Sequence, residues 1–186
     1  MVKRCNWAQA SLNDEDMLAY HDKQWGKAHH DEQQLFELLC MEIFQAGLSW
    51  KTVLHKQAAF EEAFHHFDLA FLAQQGDAFV AELMANPAII RNRMKIQACL
   101  KNARLLVEWH AQGRQLNDFL WSFTDGEIQS QVNLPGETLP AKSELSERVT
   151  KGFKQAGFSF IGPVIMQSYL EATGVLNNHQ VDCDFK

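Results

Sequence analysis

No apolar run in these 186 residues approaches the roughly 20 that a membrane-spanning helix needs. The first seven residues lack the apolar core of a signal peptide, which points to a cytoplasmic protein whose thiols stay reduced. There is no internal repeat, no low-complexity tract and no alternation of apolar and polar residues long enough to predict a strand. Four cysteines are few, and a chain of this length buries roughly 70% of its unfolded surface, so no disulfide scaffold is required. The thiols are read instead as core groups, metal ligands or catalytic groups. Positive net charge is missing too: 17 Lys and Arg against 23 Asp and Glu give −6, which by itself argues weakly against a nucleic-acid partner.

What is present describes one ordinary globular domain over residues 1–186, 46% hydrophobic and 22% charged. Leu and Ala number 20 each while Val and Ile together number 16, which favours helix over strand. Asp31 with Gln34 predicts a capping box, followed by Leu35, Leu38, Leu39 and Ala46 at helical spacing, with Gly47 as the stop. Ser49 caps a predicted helix over 50–64. Further helices are predicted over 77–85, 93–111, 146–155 and 163–173, with a loop over 124–142 that holds Gly126, Pro135, Gly136 and Pro140. The class is all-α, a bundle of about seven to nine helices.

Three features carry chemistry. Glu42 lies on the apolar side of its helix, among Leu38, Leu39, Ile43 and Phe44. It is either satisfied internally by an Arg or by backbone N–H groups, or it is a carboxylate in an apolar pocket awaiting a cationic or donor-rich ligand. Trp50, at the helix break that follows, can form a pocket wall. Cys5, His21, His179 and Cys183 would make a closed, tetrahedral Cys2His2 zinc site joining the chain ends, although their spacing is not that of a zinc finger. If the segment holding His179 and Cys183 is helical, the two share one face. Gly157-Phe158-Ser159-Phe160-Ile161-Gly162-Pro163 joins two predicted helices and is either an ordinary turn or a hairpin offering N–H groups to a phosphate. Residues 83–107 hold Arg91, Arg93, Lys95, Lys101 and Arg104 and no acid, which is either a solvated face or a face for a polyanion. Cys40 and Cys99 read as core thiols, and the pairs His29-His30 and His65-His66 as solvated.

Taken in order, Arg4-Cys5-Asn6-Trp7, Tyr20-His21-Asp22-Lys23-Gln24-Trp25-Gly26, Gln45-Ala46-Gly47-Leu48-Ser49-Trp50, Ile89 to Ile96, Trp121-Ser122-Phe123, Gly157 to Gly162 and Gly174 to His179 span nearly the whole chain. This ordered set resembles the DNA-3-methyladenine glycosylase I family of base-excision repair enzymes. The resemblance implies an all-α helix-hairpin-helix glycosylase fold with the hairpin near 157–162, so that Gly157 and Gly162 contact DNA. It implies one structural Zn2+ on Cys5, His21, His179 and Cys183. It implies a base pocket at Glu42, Tyr20 and Trp50, with Trp7 and Trp25 nearby. Leu48, at the tip of its turn, would fill the gap left in the duplex.

The implied activity is hydrolysis of the N-glycosidic bond of 3-methyladenine in double-stranded alkylated DNA, with free 3-methyladenine as product and a monomer as the working form. An ionised Glu42 and the π face of Trp50 would favour a cationic base over neutral adenine. No lysine occurs between Gln155 and Phe185, so a Schiff-base route has no candidate there and an abasic site is the expected outcome. The chain departs from the family pattern at Gln24, Val164, Gln167, Tyr169-Leu170-Glu171 and Asn178. The changes at Val164 and Gln167 are the support for a second reading, a non-catalytic, zinc-stabilised module that binds damaged DNA.

Overall fold

The computed structural model describes residues 2–186, and local chemistry sets where its helices begin. Asp14, Asp31, Ser49, Asp68, Asn92 and Ser143 each accept a hydrogen bond from the backbone N–H three residues on, satisfying a donor that the first helical turn leaves unpaired. The helices are α1 (Asn6–Gln9), α2 (Glu15–Lys23), α3 (Glu32–Gln45), α4 (Trp50–Leu54), α5 (Gln57–Ala63), α6 (Leu69–Ala73), α7 (Asp77–Ala85), α8 (Arg93–Ala111), α9 (Leu116–Trp121), α10 (Glu144–Ala156) and α11 (Pro163–Ala172). Two-residue strands β1 (Gln129–Ser130) and β2 (Leu176–Asn177) pair in parallel, Gln129 opposite Leu176 and Ser130 opposite Asn177.

Four differences from the sequence reading have physical causes. Among the described residues eleven α-helices, of four to nineteen residues, replace the seven to nine expected. The expected helix over 50–64 breaks at His55 and Lys56, where His55 Nε2 lies 3.0 Å from Asp14 Oδ1 and Lys56 Nζ donates to the Ala88 carbonyl at 2.7 Å. Tertiary contacts here override a continuous helical pattern. The box at Asp31 forms by half: Gln34 N–H donates to Asp31 at 2.8 Å, and among the described residues no bond returns from the Gln34 side chain. The loop over 124–142 holds β1, which a two-residue pairing gives no sequence period to announce.

α3 is the central element. Its residues Leu35, Phe36 and Leu38 to Phe44 are all buried, and it packs against α4, α8, α9 and α11. The main apolar core surrounds it. A second, smaller cluster holds Cys5, Met17, Tyr20, Trp25, Leu54 and Cys183, and Trp50 packs against both clusters. α10 and α11 pack together through the turn at 157–162. Gly157 caps α10 at φ 105°, in the left-handed region, and Pro163 opens α11 where its missing N–H has no helical partner to lose.

Candidate functional site

A cavity of about 500 Å³ opens at the junction of the two clusters. It brings together Glu42, Tyr20, Trp50, Trp7 and Trp25, all five of the residues the sequence assigned to a pocket. α2 delivers Tyr20, α3 delivers Glu42 and the start of α4 delivers Trp50. The aromatic wall is continuous: Trp50 and Tyr20 rings lie 4.8 Å apart between centroids, and Trp7 meets Trp25 edge-on at 5.2 Å. The opposite wall comes from α11, where Val164, Gln167, Ser168 and Glu171 recur at the 3- and 4-residue steps of one helical face.

Glu42 is only 2% exposed, and its Oε2 has no hydrogen-bond partner. The indole Nε1 of Trp50 is likewise buried and unpaired. Neither an Arg nor a Lys among the described residues forms an ion pair with Glu42. An unpaired buried carboxylate costs several kcal/mol if charged. Burial first, and the charge of Glu171 second, push the Glu42 carboxyl well above the usual glutamate range. Burial and the same two carboxyl groups push Tyr20 upward, so its hydroxyl stays a donor.

Gln167, Glu171 and Asn178 form one network on the α11 wall. Gln167 Nε2 donates to Glu171 Oε1 at 2.9 Å, and Asn178 Nδ2 donates to the same oxygen at 2.7 Å. Ser143, the cap of α10, holds the other end of Gln167 at 2.7 Å. The 124–142 loop also reaches the cavity through Asn133, Leu139, Pro140 and Ala141, and Asn133 Nδ2 donates to the Asn178 carbonyl at 2.7 Å. Lys51 stands at the rim with its ammonium 2.7 Å from Asp14.

Leu48 sits at the tip of the turn between α3 and α4, 44% exposed beside the pocket residues Ser49 and Trp50. Gly47, at φ 80°, gives that turn its left-handed step. Lys95 belongs to this turn rather than to a basic surface: it is 5% exposed and its ammonium donates to the carbonyls of Phe44 and Ala46. Arg104 stays exposed while donating to the carbonyls of Ala73 and Gln75, so Arg91, Arg93, Lys101 and Arg104 make up the outward charge. The turn between α10 and α11 is fastened by Asn102, which accepts from Ser159 N–H at 2.8 Å and donates to the Ser159 carbonyl at 3.3 Å. Gly157 and Gly162 flank it, with Val164 carrying the chain straight to the cavity. Cys40 and Cys99 are core residues as expected. Of the paired histidines, His30, His65 and His66 are exposed as expected and His29 is half-buried; His30 stacks on Trp121 at 4.6 Å and His65 on Phe71 at 3.8 Å.

Behind the aromatic wall, Cys5, His21, His179 and Cys183 are all buried, with their ligand atoms within 4.8 Å of one another, a group able to hold a metal ion. The segment holding His179 and Cys183 is not helical. His179 Nδ1 is 3.4 Å from each of the two sulfurs, and Cys183 Sγ is 3.7 Å from His21 Nε2. The outer nitrogens are engaged elsewhere, His21 Nδ1 with Asp22 at 2.7 Å and His179 Nε2 with the Trp25 carbonyl at 2.9 Å. Arg4 braces Asp22 at 2.8 Å. Burial pushes both imidazoles down, His179 to about 4, which keeps them neutral. Gly26 is required beside them, since a Cβ there would meet the His179 ring at 2.9 Å and its φ is +72°.

Comparison with known proteins places this geometry. The sequence matches the family described as Methyladenine glycosylase over residues 7–186. The chain belongs to that family. Similar proteins are DNA-3-methyladenine glycosylase 1 of Escherichia coli (strain K12), 37% identical over 98% of this chain and 96% of that one, and the Haemophilus influenzae DNA-3-methyladenine glycosylase, 36% identical over 100% and 99%. The structure of 3-methyladenine DNA glycosylase I from Staphylococcus aureus, determined for the basis of 3-methyladenine recognition, superimposes with a TM-score of 0.91 at 34% identity, covering 99% of this chain and 98% of that one.

In this member of the methyladenine glycosylase family, sequence reasoning missed Glu171, Lys95 and Asn102. The signal for Glu171 was present, since it follows Val164 by seven residues and Gln167 by four. Lys95, Cys99 and Asn102 likewise share one face of α8, at steps of four and three.

Proposed function

We propose that this chain excises 3-methyladenine from alkylated double-stranded DNA, as a base-excision repair glycosylase that leaves an abasic site. The observation that carries the reading is the Glu42 carboxyl, unpartnered and buried in an open cavity whose wall is the Trp50 ring. The target nucleotide must leave the base stack to be reached. Methylation at N3 makes the base cationic and a good leaving group, so recognition is the larger part of the task. Trp50 and Tyr20 offer π faces to the ring, and a bound cation favours the charged form of Glu42 against the burial that raises it. Neutral adenine provides no such compensation and is rejected. Water adds to C1′ of the deoxyribose and the C1′–N9 bond breaks. Its electron pair passes to the base, which departs neutral, and the water proton is released. Lys51, the lysine at the cavity rim, is held by Asp14, which supports hydrolysis over attack by an amine.

DNA is held, in this reading, by a helix-hairpin-helix unit formed by α10, the turn at 157–162 and α11, with Gly157 and Gly162 letting the backbone approach a phosphate. Leu48 fills the vacated stack. The Cys5, His21, His179 and Cys183 group suits structural Zn2+. Zn–S bonds of roughly 2.3 Å and Zn–N bonds of roughly 2.0–2.1 Å at a tetrahedral angle separate S and N by about 3.5 Å, and the observed separations are 3.4 to 3.7 Å. The bonds to Asp22 and the Trp25 carbonyl leave the inner nitrogens to face the metal. Bound there, the ion supplies no reaction chemistry but ties the chain ends together behind Trp7 and Trp25.

The test is incubation with methylated duplex DNA and detection of the released base. Wild type releases 3-methyladenine, and Trp50→Ala and Glu42→Gln, still folded, lose most of the rate. Full rate and selectivity in Glu42→Gln would contradict the assigned role.

A further inference from the structure

The cavity has two acids on unlike walls. Glu42, on α3, has no partner for Oε2. Glu171, on α11, is braced by Gln167 at 2.9 Å and Asn178 at 2.7 Å. The brace is anchored at both ends, Gln167 on the Ser143 hydroxyl and the Asn178 backbone on the Asn133 amide. Donors of this kind favour the charged carboxylate. Burial still holds the Glu171 carboxyl above the ordinary glutamate value and these donors work against that rise, while Glu42 receives no such help. The charge of Glu171 in turn reaches Glu42 across the cavity.

We propose that Glu171 is a specificity-determining residue: its braced carboxyl is a second acid on the cavity wall, and it selects a cationic purine over a neutral one alongside Glu42. This rests on the glycosylase reading and assigns part of its charge recognition to a second residue. Asn178 lies outside the cavity lining, so moving the acid to that position would leave the hydrogen bond in place but take the charge off the wall.

The experiment measures binding of two probes, 3,9-dimethyladeninium, a fixed cation, and 9-methyladenine, its neutral counterpart. It compares wild type, Glu171→Gln, and the double variant Glu171→Gln with Asn178→Asp, each with metal content and thermal midpoint checked. Wild type prefers the cation, and both variants lose about tenfold of that preference with binding of the neutral probe little changed. The double variant keeps a carboxylate–amide pair and so covers the case in which Glu171→Gln alone does not fold. Wild-type preference in either folded variant overturns the proposal. Release of 3-methyladenine from methylated DNA by wild type is measured alongside: its absence would overturn the glycosylase reading itself, independently of the ratio.

Discussion

The ammonium of Lys95 lies 2.6 Å from the carbonyl oxygen of Ala46. It lies 2.9 Å from that of Phe44 as well, so one buried cation closes the C-terminus of α3, three residues beyond Glu42. Terminal carbonyls of a helix lack intrahelical donors and carry the negative end of its dipole, both of which a cation satisfies.

Lys95→Met is expected to destabilise the fold by about 1–3 kcal/mol, because buried carbonyls lose their donor. Excision is expected to slow further than the stability loss explains, since the turn that carries Leu48 and Trp50 is released. Urea denaturation and single-turnover excision check the two effects. Unchanged stability and rate would show that the turn holds itself.

A pH dependence follows from Glu42. Its carboxyl is raised in the folded chain above the ordinary glutamate value of 4.5. Above that value the unfolded chain has lost the proton while the folded chain keeps it, so this residue makes stability fall as pH rises. Glu42→Gln removes the effect. Its stability relative to wild type is therefore expected to improve as pH rises above the ordinary glutamate value, in urea titrations. A difference that is flat with pH, or that runs the other way, would mean that Glu42 is charged in the empty pocket.

The metal cluster predicts one equivalent of zinc in the purified protein. Chelation, or Cys183→Ser, is expected to lower the thermal midpoint by several degrees and to expose the segment after β2 to proteolysis. Lys3 and Asp184 then separate, although they are now joined by two backbone-anchored bonds. Less than one equivalent, or no change on chelation, would remove the structural role.

Much of this was written locally in the sequence. Residues 77–85 and 93–111 are read to the residue, because caps and apolar periods agree there. The burial of Glu42 is visible in its neighbours. The metal group was only a guess from residue types, since two chain ends 174 residues apart between Cys5 and His179 carry no spacing rule. Lys95 was misread as surface because charge outweighed its position on the Cys99 and Asn102 face. Glu171 was read as a departure from a pattern and not as a wall of the pocket, because its brace comes from Asn178, outside its own helix.

The most direct measurement is a crystal structure with 3-methyladenine bound. The account predicts the purine against the Trp50 ring, with its N–H edge within hydrogen-bond distance of the Glu42 carboxyl, whose Oε2 is now without a partner. A base bound elsewhere, or one in the cavity with Glu42 turned away from it, would contradict the account.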